Sequence, residues 1–116
     1  MGSRMAANLR RAGFELTVNN RTLATARDWA ADYGATLAES PAAAAERSDV
    51  LITMVVDGPQ VESVLLGDRG AVQGAHEGLL CVDMSTIAPS DTRRIGAELA
   101  RHGVHFMDAP VTGSAP

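Results

Sequence analysis

Four short clusters in the 116-residue sequence carry groups suited to holding an anion. Asn20-Arg21-Thr22 offers a guanidinium, a planar fork of donors that matches a phosphate, directly after an alternating apolar stretch. The same three residues also fit a solvated loop with Thr22 as a helix N-cap. Gly2 heads a helical pattern, where free N–H groups and the positive dipole end attract negative charge. A plain turn before a helix would use a glycine too. Ser85-Thr86 ends the apolar run GLLCVDMS, at the carboxyl end of a strand, where ligands gather in open α/β sheets. Their hydroxyls serve equally to satisfy the turn before the next helix. Thr112-Gly113-Ser114 combines small hydroxyls and backbone N–H groups, either a compact carboxylate cradle or an ordinary glycine turn.

The elements that must position these clusters alternate along the chain. Residues 3–12 predict a helix, with Met5, Ala6, Leu9 and Ala12 at helical spacing and Gly13 as its stop. FELTVNN, residues 14–20, alternates apolar and polar side chains as a strand does. A helix over 22–33 ends at Gly34, and 35–38 is a short strand. Ser40 is a good N-cap and Pro41 a good first residue for a third helix. DVLITMVV, residues 49–56, is continuously apolar, the pattern of a strand buried on both faces of a parallel sheet. A helix over 59–66, a second buried strand over 78–85, a helix over 89–102 and a last strand over 104–110 complete the series. Strands alternating with helices call for parallel pairing, crossover helices and cover on both faces. The expected fold is a doubly wound α/β domain.

Composition narrows the partners. The formal net charge is −4, and all 10 basic residues are arginines spread along the chain, so the clustered charge that nucleic-acid binding needs is missing. No stretch reaches the roughly 20 apolar residues of a membrane span, and no basic-then-apolar signal opens the chain. A cytoplasmic protein is expected. The lone cysteine, Cys81, sits in an apolar run and reads as a buried side chain. His76, His102 and His105 show no ligand spacing, so no metal is expected. Asp83 reads as an acceptor of backbone N–H groups, not as a base.

Dinucleotide-binding folds run a strand into a G-x-G-x-x-G turn and a helix, and an acid after the second strand bonds the ribose 2′-hydroxyl of NAD. Residues 18–22 hold no acid but do hold Arg21, which favours NADP over NAD. MGSRMAANLRRAGFELTVNNRT closely resembles the start of the β-hydroxyacid dehydrogenases, the 3-hydroxyisobutyrate dehydrogenase family. DVLITMVVDGPQV, VDMSTIAP and FMDAPVTGS resemble three later segments of that family, in order. The resemblance spans essentially all of the chain.

The resemblance implies a Rossmann-like cofactor domain whose first strand, with two of the three glycines, lies upstream of Met1. It implies an all-helical domain after Pro116 with the catalytic lysine and much of a homodimer or homotetramer interface. The cofactor site would use Met1, Gly2, Asn20, Arg21 and Thr22, with Val55 and Val56 beneath the cofactor and Thr86 near the nicotinamide. Ser85, Thr112 and Gly113 would hold the carboxylate of a small 3-hydroxy acid or semialdehyde. Val56 departs from a frequent family proline. Ser114 in place of a glycine gives some weight to glyoxylate and succinic semialdehyde reductases. Related imine reductases use a similar domain. A nucleotide-binding module without catalysis, or a non-functional remnant, is the competing expectation. The chain contains no lysine. The 116-residue polypeptide is therefore expected to show no turnover of NADPH with glyoxylate or succinic semialdehyde in a 340 nm assay, and steady turnover would contradict this.

Overall fold

The computed structural model of the chain describes residues 2–111. Met1, Thr112, Gly113 and Ser114 of the expected clusters lie outside the described residues. Helix α1, Gly2–Arg11, is followed by strand β1, Thr17–Val18, helix α2, Leu23–Tyr33, and strand β2, Thr36–Leu37. Helix α3, Pro41–Glu46, strand β3, Val50–Thr53, and helix α4, Gly58–Leu66, come next. A 3₁₀ turn at Ala71–Gln73 then leads to strand β4, Leu80–Asp83, helix α5, Pro89–Ala100, and strand β5, His105–Asp108.

Local chemistry explains the helix ends. Ser40 Oγ accepts the Ala43 N–H at 3.0 Å and Pro41 follows it, which starts α3 as its sequence predicts. Asp57 Oδ1 accepts the Gln60 N–H at 3.0 Å and starts α4. Gly34 closes α2 in the left-handed region, at φ 67°, and donates its N–H to the Ala30 carbonyl. Arg10 Nε donates to the Tyr33 carbonyl at 3.0 Å and ties the end of α1 to the end of α2.

Among the described residues all strand pairs are parallel, as the alternation requires, but they form two sheets. One is β1–β2 and the other is β3–β4–β5. In the second, Leu51, Cys81 and Phe106 lie in register, as do Thr53, Asp83 and Asp108. The strands are shorter than the apolar runs that announce them. Only Thr17 and Val18 of residues 14–20 pair, and Phe14 stays exposed, because β1 has β2 as its one partner among the described residues.

The core sits on one face of the larger sheet. Leu51 and Cys81 meet Val61 and Leu65 of α4, Ile95 and Leu99 of α5, and Ala44 and Ala45 of α3. The run over 49–56 is therefore buried on one face, not on two. Leu51 and Thr53 point into the core, while Val50 and Ile52 are 50% and 43% exposed. The physical reason is strand alternation: successive side chains face opposite ways, and the helices that bury Leu51 lie on its side alone. Burial pushes the Cys81 thiol up to about 11, so it stays protonated and inert as its setting suggests.

The loops at the opposite end are joined by His76. Its Nε2 lies 2.8 Å from the Ser48 carbonyl and its Nδ1 3.3 Å from that of Glu77. Two carbonyls facing one ring favour the imidazolium, which donates from both nitrogens, and the Asp49 charge adds to this. The folded pKa is thus raised above the ordinary 6.5. A raised folded pKa stabilises the fold fully below the unfolded value and loses that contribution as pH rises through the folded value. Urea denaturation of wild type and His76→Ala is expected to show the widest gap below about pH 6, narrowing toward alkaline pH. A gap that widens with pH would contradict the assignment.

Candidate functional site

Of the described candidate residues, Asn20, Arg21 and Thr22 follow β1, Val55 and Val56 follow β3, and Ser85 and Thr86 follow β4, each at the carboxyl end of its strand. After β1, Asn20 Oδ1 accepts the Thr22 N–H at 3.3 Å, an Asx turn that sets up the start of α2. Thr22 occupies the N-cap position with φ −91° and ψ 98°, yet its hydroxyl makes no capping hydrogen bond. The first turn of α2 contains no acid. Arg21 is exposed and forms no ion pair among the described residues. A helix start with uncapped N–H groups, a spare hydroxyl and an unneutralised guanidinium therefore lie within three consecutive residues and the turn they open. Each of these attracts an anion. Asn19 anchors this loop by donating from Nδ2 to the Ala38 carbonyl at 2.9 Å, a role the sequence reading missed.

The second cluster lies after β3 and β4. Thr53 Oγ1 donates to Asp83 Oδ1 at 2.8 Å, and the Ser85 N–H donates to the same oxygen at 3.1 Å. The Val55 N–H donates to Ser85 Oγ at 2.8 Å. Thr53, Asp83 and Ser85 are buried, whereas Val56 is 77% exposed and Thr86 is also exposed. Asp83 accepts a backbone N–H, as its type and place suggest. The Ser85 hydroxyl does not serve the turn before α5, as one expectation had it, but reaches across to the loop after β3 by accepting the Val55 N–H. Thr53 went unnoticed in the sequence, where it is one β-branched residue in an apolar run; only the register with Asp83 gives it a partner. Gly2 lies against Met54, with room for a Cβ at 3.7 Å from that side chain, so α1 begins beside the loop that carries Val55 and Val56.

The two clusters differ in kind. The α2 start is open and electropositive, suited to a phosphate. The β3–β4 end is an edge of small and apolar groups over a buried carboxylate, suited to a flat ring. Asp108 is exposed and makes no side-chain hydrogen bond among the described residues. A groove of about 430 Å³ between α1 and α2, lined by Arg4, Arg11, Trp29 and Tyr33 among others, contains none of the candidate residues.

The loop bearing Val55 and Val56 feeds directly into the Asp57 cap, so the cap holds its far end. Asp57→Ala is expected to cost about 1 kcal/mol in urea denaturation, and Asp57→Ser to restore most of it. Equal stability of wild type and the alanine variant would show that the cap does not hold α4.

Comparison with known proteins gives the arrangement its context. Residues 1–116 match the family described as the NAD binding domain of 6-phosphogluconate dehydrogenase. The 2-hydroxy-3-oxopropionate reductase of Escherichia coli (strain K12) is 40% identical over 113 residues, which cover 97% of this chain and 38% of that protein. The structure of Mycobacterium tuberculosis 3-hydroxyisobutyrate dehydrogenase with L-serine superposes with a TM-score of 0.86 at 34% identity, covering 97% of this chain and 38% of that one. An imine reductase from Myxococcus stipitatus in complex with NADP+ gives a TM-score of 0.85 at 27% identity, again covering 97% of this chain and 38% of the other. The chain thus spans well under half the length of these relatives. A match along its whole length and strands that pair in parallel agree: the chain belongs to the family of the NAD binding domain of 6-phosphogluconate dehydrogenase, and it is similar to the matching part of β-hydroxyacid dehydrogenases.

Proposed function

We propose that the chain binds NADP(H) as the cofactor domain of an oxidoreductase that acts on a small 3-hydroxy acid or semialdehyde carboxylate. One observation carries the choice of NADP: Arg21 stands free of any ion pair among the described residues, beside an uncapped helix start whose first turn holds no acid. A carboxylate there would repel a 2′-phosphate, while a guanidinium and free N–H groups stabilise it.

In this reading Asn20, Arg21 and Thr22 hold the adenosine phosphate, and Met1 and Gly2 face the pyrophosphate. Val55 and Val56 form an apolar bed for the nicotinamide, and Thr86 lies at its rim. The hydroxyl hydrogen of Ser85, together with Thr112 and Gly113, donates to the substrate carboxylate. The bound cofactor would supply hydride acceptance and donation. The chain's own residues bind, orient and exclude water. The proton that accompanies hydride transfer needs a separate acid or base, and the chain offers no lysine for it. A homodimeric or homotetrameric parent in the cytoplasm completes this reading. No helix among the described residues is long and apolar enough to cross a membrane.

A second reading, a nucleotide-binding module without catalysis, draws on the same absence of lysine. It predicts the same binding and differs only in turnover.

Titration of the chain with NADPH and NADH, followed by nicotinamide fluorescence, tests the cofactor assignment. NADPH is expected to bind more tightly. Arg21→Ala should weaken NADPH by about 10- to 100-fold, the range of a lost charge-assisted hydrogen bond, and leave NADH within about threefold. Equal loss for both nucleotides, or none, would remove NADP from the reading.

A further inference from the structure

We propose that Asp83 is a positioning residue of this nucleotide site, acting through Ser85 on the Val55 amide. The inference rests on reading the β3–β4 edge as the seat of the nicotinamide. Asp83 is fully buried, and its Oδ1 accepts from both the Thr53 hydroxyl and the Ser85 N–H. Ser85 Oγ in turn accepts the Val55 N–H. The hydrogen bonds cross between β3 and β4 twice, first at Thr53–Asp83 and again at Val55–Ser85. Together with the backbone from 53 to 55 and from 83 to 85, they close a ring that locks the two loops at one separation.

The arrangement is costly in stability, which is why a positional role explains it better than a core role. Asp83 Oδ2 is buried and has no hydrogen-bond partner among the described residues. A buried carboxylate with one bare oxygen destabilises a fold relative to a well-packed apolar side chain of similar size. What Oδ1 secures in exchange is the geometry of two loops. The residues those loops leave exposed are Val56 and Thr86, the ones a flat ring would meet. The three side chains that build the ring, Thr53, Asp83 and Ser85, are buried, while Val56 and Thr86 beside it are exposed, and Val55 links the two through its amide.

The test uses the full 116-residue chain. Amide hydrogen exchange of Val55 by NMR, without nucleotide, is compared in wild type, Asp83→Ala, Ser85→Ala, the double variant and Asp83→Asn. Exchange is expected to accelerate about tenfold or more in each alanine variant, with little further gain in the double. Asp83→Asn keeps an acceptor at Oδ1 and should stay within about threefold of wild type. NADPH affinity should fall in Asp83→Ala as much as in Ser85→Ala and recover in Asp83→Asn. If Asp83→Ala fails to fold, Thr53→Val carries the test, since it removes one donor and keeps the shape; a rise of about threefold in Val55 exchange is expected. Wild-type protection of Val55 in Asp83→Ala or Thr53→Val would overturn the proposal, as would an asparagine variant as damaged as alanine. Failure of the wild-type chain to bind NADPH would count against the proposed function alone, because Val55 exchange still decides whether the ring acts.

Discussion

Parallel pairing governs this chain. A parallel strand pair cannot be closed by a tight turn, so each connection must cross back as a helix, and every strand arrives with its carboxyl end on the same side. That constraint brings Thr53, Asp83 and Asp108 into one row across β3, β4 and β5. It also sends the segments after Thr53 and Asp83 from that row into the starts of α4 and α5. The loops with the most chemistry in this protein are the short links between those two events.

The same constraint explains where stability and function separate. Leu51, Cys81, Val61, Leu65, Ile95 and Leu99 form a packed apolar layer behind the sheet and ask for nothing beyond close contact. At the carboxyl edge the layer gives way to the Asp83 carboxylate and the Ser85 hydroxyl, which each accept a backbone N–H, and to the Thr53 hydroxyl, which donates to Asp83. A hydrogen-bonded ring holds angles that apolar packing leaves free, because hydrogen bonds are directional and dispersion contacts are not. The exposed side chains next to the ring inherit its geometry.

Electrostatics works on a smaller scale. The chain is acidic overall, at −4, yet the start of α2 has a positive character because Arg21 is in no ion pair among the described residues, the first turn holds no acid and the helix amides are uncapped. Net charge would argue against an anionic ligand, but the field that a phosphate meets is set within a Debye length, roughly 8–10 Å. Over that distance the arrangement of residues 20–25 outweighs the total.

The alternation of apolar periods determined the element series, because a helix and a strand bury side chains at different spacings whatever surrounds them. The caps at Ser40 and the stop at Gly34 were legible for the same reason: both act on their own backbone. So was the helix start at Thr22, whose neighbours Asn20 and Arg21 are consecutive with it. Burial of one face of β3 and exposure of Val50 and Ile52 was not legible, since a continuous apolar run states that a segment can be buried, not that something covers it. Nor was the division into two sheets, which depends on which strands find partners. The role of Thr53 and the bare oxygen of Asp83 depend on a register between residues 30 positions apart. Interactions between sequence neighbours are set by residue type and spacing, so the sequence determined them. Interactions across strands require the chain to have folded, so only the tertiary structure decided those.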